Sequence, residues 1–200
     1  MNDFLLTRDL FNMLRNFQDY WNCHGILDCV EPIQDFYEPL QESSASNFVQ
    51  KIESCPVEHI KSSKAFKIVF KSGFSISYSG DTRFSLPFID LSKNVDLMIH
   101  EATFENKMLQ RANLTNHCTN YHALKSLKLS GAKFGILTHF SQRYDKCPVI
   151  ENEVDGDFVD NFSIAYDNMM VNKNNFEGLR EFAELSTRLI NYSEEKDVFV

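Results

Sequence analysis

The 200-residue chain has no run of about 18 uninterrupted apolar residues, which excludes a spanning helix. Its first residues, MNDFLLTRDLFNMLRNF, carry acids and amides where a secretory signal needs a cationic start and an apolar block. A soluble, intracellular protein with no membrane partner is expected, and no targeting segment chooses among nucleus, mitochondrion and cytosol. Positive charge is also short: 20 Lys+Arg against 28 Asp+Glu leave a net charge of −8. Broad neutralisation of phosphates is therefore excluded as the sole means of gripping a nucleic acid. Such a partner would need a local basic patch, a metal or a second polypeptide. The five cysteines, Cys23, Cys29, Cys55, Cys118 and Cys147, are odd in number, scattered and without a CxxC pair. That excludes a disulfide framework and a zinc finger and fits a reducing compartment. No repeat of fixed period is visible. What is plentiful is apolar mass: 43% hydrophobic residues with 18 Phe fill one core, which rules out a disordered tail or a coiled-coil rod.

The periodicity of this apolar content changes along the chain. Leu10, Leu14, Phe17 and Trp21 recur at helical spacing over residues 8 to 21, with Thr7 as N-cap. Residues 22 to 50 hold Pro32, Pro39 and a polar serine-rich run, an irregular connection and the best internal breakpoint. The expected division is therefore a helix and loop over 1–50 and an α/β unit over 51–200. From Phe66 the period becomes two: Phe66, Ile68 and Phe70, a Ser72-Gly73 turn, then Phe74, Ile76 and Tyr78, the pattern of a hairpin. Tyr121 to Ser130 reads as a short helix with Thr119 or Asn120 as cap and Gly131 as stop. Phe162 to Val171 is a last apolar stretch, and Phe176, Leu179, Phe182, Leu185 and Leu189 describe a final amphipathic helix. Alternating strands and helices predict an α/β layer architecture.

Three segments share one design, a short apolar run followed at once by residues that bind metals or move protons: ISYSGDTR, VDLMIHEATF and FGILTHFSQRY. Open α/β sheets gather such residues on the rim formed by the C-terminal ends of their strands. Asp81, His100, Glu101 and His139 occupy these positions. Singly, Asp81 serves equally well as a turn or cap aspartate, and a lone histidine after a strand is more often structural than a ligand. Their recurrence at neighbouring strand ends favours metal or acid/base chemistry. His117, in NHCT just ahead of a helix, is suited to act as a general acid toward a phosphate ester, and equally to be a solvated loop histidine. His59, in CPVEH, reads on its own as a surface residue. His24 and His122 have no such context and are assigned to surface or core packing. Cys118 is not expected to be a nucleophile, because adjacent residues rarely face each other.

Taken together, CPVEH (55–59), SGDTR (79–83), HEATF (100–104), NHCT (116–119), THFSQRY (138–144) and AYD (165–167) resemble the ribonuclease Z family. These are the tRNA 3′-processing endonucleases of the metallo-β-lactamase superfamily, and the likeness is to the last part of their long eukaryotic form, over residues 55 to 170. The resemblance implies the C-terminal half of an αββα sandwich. It implies that His59 is a ligand of one zinc, that Asp81 bridges two zincs and that His139 is a ligand of the second. Imidazole nitrogen and carboxylate oxygen are ordinary donors to that ion. It further implies that Glu101 orients His117 to protonate the leaving 3′ oxygen of precursor tRNA, with His100 structural and Arg143 paired to a carboxylate or an RNA phosphate.

The family's principal metal motif, His-x-His-x-Asp-His, which also carries the general base, is absent from these residues. Lys67, Cys118 and Phe84 stand where the family usually has glycine, serine and proline. Three ligands for two zinc ions predict weak metal binding and an inactive isolated chain. The missing donors would come from an N-terminal portion, with a homodimer as the other expected arrangement. A non-catalytic paralogue serving as a binding or scaffold domain is the alternative. It is disfavoured because Glu101, His117, Asp81 and His139 are all kept. The acids Glu151, Glu153, Asp155, Asp157 and Asp160 are expected to form a solvated loop.

Overall fold

A computed structural model describes residues 48–142, 144, 150–165, 169–171, 178, 179 and 181. The expected helices over 8–21 and 176–189, Arg143, and Tyr166-Asp167 of the AYD motif lie outside the described residues, apart from isolated positions in the last helix. Within them the chain forms a six-stranded sheet, β1 (Val49–Pro56), β2 (Lys64–Phe70), β3 (Ser75–Tyr78), β4 (Leu97–Glu101), β5 (Phe134–Thr138) and β8 (Phe162–Ile164), paired in that order. The hairpin predicted around Ser72-Gly73 joins β2 and β3, with Ile68 opposite Ile76. β1 is antiparallel to β2, while β3, β4, β5 and β8 run parallel. β1 therefore points the same way as the parallel set, and one rim collects the ends of five strands.

Strands covered on both faces need near-continuous apolar sequence rather than alternation. LMIHE and FGILT, the central pair, are such runs, and each is buried over nearly its whole length. One face of the sheet is covered by α1 (Leu86–Leu91) and α3 (Asn120–Ser130). Phe88 of α1 and Ala123, Leu124 and Leu127 of α3 pack there with Met98 and Leu137. Gly135 makes that approach feasible, since a Cβ at this position would sit 2.7 Å from the Leu127 side chain. The opposite face carries Ile76, Leu97, Phe134 and Ile136, packed against Val171 and Leu179 and flanked by the half-buried Phe70, Phe74 and Ile99.

Local signals explain the helix ends. Thr119 accepts a hydrogen bond from the His122 N–H and caps α3, and Gly131 ends it. Three elements were not anticipated. β1 alternates weakly and buries none of its residues fully, as suits an edge strand. α1 is only one and a half turns long, although Ser85 as cap and Pro87 in its first turn are legible start signals. α2 (Leu109–Thr115) is also short and buries only Ala112. The expected acidic loop is corrected to a small hairpin, β6 (Glu153–Val154) and β7 (Asp157–Phe158). Its acids are not simply solvated: Asp155 accepts a hydrogen bond from Tyr121 at 2.7 Å, and Asp157 pairs with Lys128 at 2.8 Å, tying the hairpin to α3. Among the described residues no helix is long and apolar enough to cross a membrane.

Candidate active site and metal centre

The strand ends place Asp81 three residues beyond β3, Glu101 as the last residue of β4 and His139 immediately after β5. Gly80, at φ +59°, turns the chain toward Asp81 where a side chain would press on the Lys64 carbonyl, 3.1 Å from a Cβ. His59 comes from the loop after β1, which is tied to the SGDTR segment by the Arg83 N–H donating to the Glu58 carbonyl at 2.9 Å. His117 sits between α2 and α3. Residues from five parts of the sequence thus meet on one rim.

Glu101 is the most enclosed of them, with 1% exposure. Its Oε1 accepts from the Thr82 N–H at 2.7 Å and from His117 Nδ1 at 2.8 Å. Its Oε2 accepts from the Thr103 hydroxyl at 2.7 Å and the Cys118 N–H at 3.0 Å. Burial alone would raise the carboxyl's pKa, but these donors outweigh it and hold the group below its ordinary value. The converse acts on His117: the hydrogen bond to Glu101 raises its pKa, against a smaller opposing contribution from burial. The pair is a carboxylate with an imidazole whose proton is held more tightly than usual. Sequence reasoning overlooked Thr82, Thr103 and the Cys118 amide, because two of the donors are backbone groups and no side-chain pattern marks them. The Cys118 thiol is fully buried and burial pushes its pKa well up, so it stays protonated and inert.

The other group is more open. Asp81 Oδ2 lies 3.4 Å from His139 Nε2 and 3.9 Å from His59 Nε2, and the three side chains are 34%, 49% and 23% exposed. Donors that share one tetrahedral zinc at about 2.0–2.2 Å stand roughly 3.4 Å apart. Both Asp81–histidine separations are close to that span, so the donor set suits a metal on either side of the carboxylate. Ligand atoms of His59, Asp81 and His117 also fall within 4.8 Å of one another. The His117 ring is 4.7 Å from that of His59 and 5.5 Å from that of His139, centroid to centroid.

His100 is set apart from both groups. It is buried, donates from Nδ1 to the Glu101 carbonyl at 2.6 Å and meets Phe88 edge-on at 5.3 Å. Burial depresses its pKa, which keeps it neutral. His122 packs between Phe84 and Tyr121.

No family model matches the chain. It is 38% identical over 136 residues to ribonuclease Z 1 of Schizosaccharomyces pombe, an alignment covering 68% of this chain and 16% of that protein. It is 35% identical over 123 residues to a zinc phosphodiesterase of Rattus norvegicus, covering 62% of this chain and 14% of that one. The crystal structure of a long-form RNase Z from yeast matches with a TM-score of 0.64 and 32% identity, over 74% of this chain and 20% of that chain. The chain spans about a sixth of the length of the curated relatives it matches. The α/β sheet is therefore part of a metallo-β-lactamase fold, the architecture expected from the motifs.

Proposed function

As this chain belongs to the ribonuclease Z family, we propose that it supplies the proton-donating half, and part of the metal-holding half, of an endoribonuclease that removes the 3′ trailer from precursor tRNA. The observation that carries this reading is the Glu101–His117 pair standing one ring's distance from His59, Asp81 and His139. In this reading His59 and Asp81 would hold one zinc and Asp81 and His139 a second, and the bound metal would supply activation of the attacking water and charge neutralisation at the phosphate.

The chain's own groups do the rest. With Nδ1 bonded to Glu101, Nε2 of His117 is the atom left to meet a substrate oxygen. The hydrogen bond to Glu101 raises the pKa of His117 and favours a proton on the ring, which suits His117 to act as a general acid toward the leaving 3′ oxygen. Glu101, locked by four other contacts, cannot swing away when His117 gives up its proton, and it re-orients the ring for the next cycle. His59, Asp81 and His139 give each ion of a pair two donors, fewer than the three of a catalytic zinc site. The general base and the remaining donors come from polypeptide outside these 200 residues.

Metal analysis and a cleavage assay on precursor tRNA test this. The purified chain should hold fewer than two zinc ions and cleave nothing, and a polypeptide carrying His-x-His-x-Asp-His should restore cleavage on mixing or fusion. Efficient cleavage by the 200 residues alone would overturn the partial-site reading.

A further inference from the structure

We propose that Asn116 is a positioning residue that fixes which ring nitrogen of His59 carries the proton, and so leaves the other free to face Asp81. Two hydrogen bonds join residues 57 positions apart: the His59 Nδ1–H donates to the Asn116 carbonyl at 3.1 Å, and the Asn116 Nδ2 donates back to the His59 carbonyl at 3.0 Å. A carbonyl oxygen only accepts, so this geometry places the ring proton on Nδ1. Nε2, the nitrogen 3.9 Å from Asp81 Oδ2, is then left with its lone pair.

The backbone is shaped for this arrangement. Asn116 adopts φ 56°, ψ 45° at the end of α2, and its own N–H donates to the Ala112 carbonyl. Asparagine is the residue after glycine that best tolerates such a left-handed helix end, and unlike glycine it brings an amide. That amide draws the His59 backbone inward and keeps Nδ1 within reach of the carbonyl. The next residue is His117. One asparagine thus ties together the segment that carries the proton donor and the loop that carries a metal ligand.

The metal consequence rests on the reading given above; the tautomer does not. Long-range nitrogen–proton NMR on the metal-free chain, above the imidazole titration range, should show His59 as the Nδ1–H form. In Asn116→Gly, which allows the same backbone conformation and removes only the amide, the Nε2–H form that free histidine prefers should become the major one. Zinc affinity, measured by chelator competition, should fall about tenfold, the lower range for loss of a group that orients a ligand. Thr115→Ala, one position away on the same helix, should alter neither readout. His59 as Nε2–H in the unaltered chain, or an unchanged tautomer in a folded Asn116→Gly chain, overturns the proposal. If Asn116→Gly fails to fold, the spectrum of the unaltered chain decides. A tautomer shift in a chain that binds no zinc supports the latch and overturns the metal reading instead.

Discussion

The two halves of the site differ in how completely this chain builds them. Around Glu101 and His117 every carboxylate oxygen has donors and the exposures are 1% and 15%. Around Asp81 the nearest imidazole nitrogens stand 3.4 and 3.9 Å away, and the side chains are a quarter to a half open. A buried ionised carboxylate without partners would cost several kcal/mol, so the Glu101–His117 half has to be finished within the fold that buries it. The partly exposed Asp81 group carries no such requirement, since solvent reaches it. The enclosed half is therefore part of the folding problem and the open half is part of the binding problem.

Substitutions that separate activity from stability probe this contrast most sharply. In the completed enzyme, His117→Ala should lower cleavage by about 10²–10⁴-fold, the usual range for a general acid. Asp81→Ala should abolish it, while His122→Ala should leave it within a few-fold. A comparable loss from the His122 change would undo the assignment of roles.

Stability should rank the halves in the opposite sense. Glu101→Ala strands the Thr82 and Cys118 amides in the interior and should cost roughly 3–5 kcal/mol in denaturant unfolding of the chain. His139→Ala should cost under about 1 kcal/mol, as for other exposed positions. Equal costs would remove the distinction between an enclosed and an open half.

The smallest expected effect comes from a pair remote from both. Burial alone would raise the pKa of Asp96, but the Lys133 ammonium at 2.7 Å and the Ser75 N–H and hydroxyl hold it below the ordinary carboxylate range. Its folded pKa is therefore lower than its unfolded one. The stability it contributes is present above the unfolded pKa and is lost as the pH falls through the folded value. With Lys133 largely exposed, that contribution should be about 1 kcal/mol or less. Asp96→Asn should flatten the acid limb of an unfolding curve by that amount, and an unchanged limb would assign the acid sensitivity elsewhere.

How much of this was legible in the sequence followed the range of the physics involved. The hairpin at Ser72-Gly73, the α3 caps and the three strands leading into Asp81, Glu101 and His139 rest on local patterns, and the structure has them where the spacing put them. The α1 and α2 helices escaped notice because six or seven residues hold too few periods to register. The acidic stretch was misread because charge alone does not reveal that Tyr121 and Lys128, about thirty residues earlier, would engage it. Within the site, residue types pointed to the histidines and acids. The Thr82 and Cys118 amides and the Asn116 carbonyl could not be read in that way, since every residue offers the same backbone groups. Only the fold decides which of them converge.

His139 has one further property with a consequence of its own. It leaves β5 at φ 61°, a conformation that costs a residue with a Cβ about 1 kcal/mol and costs glycine almost nothing. A redesign for stability would therefore favour glycine at residue 139, and in doing so would remove the imidazole proposed as a metal ligand.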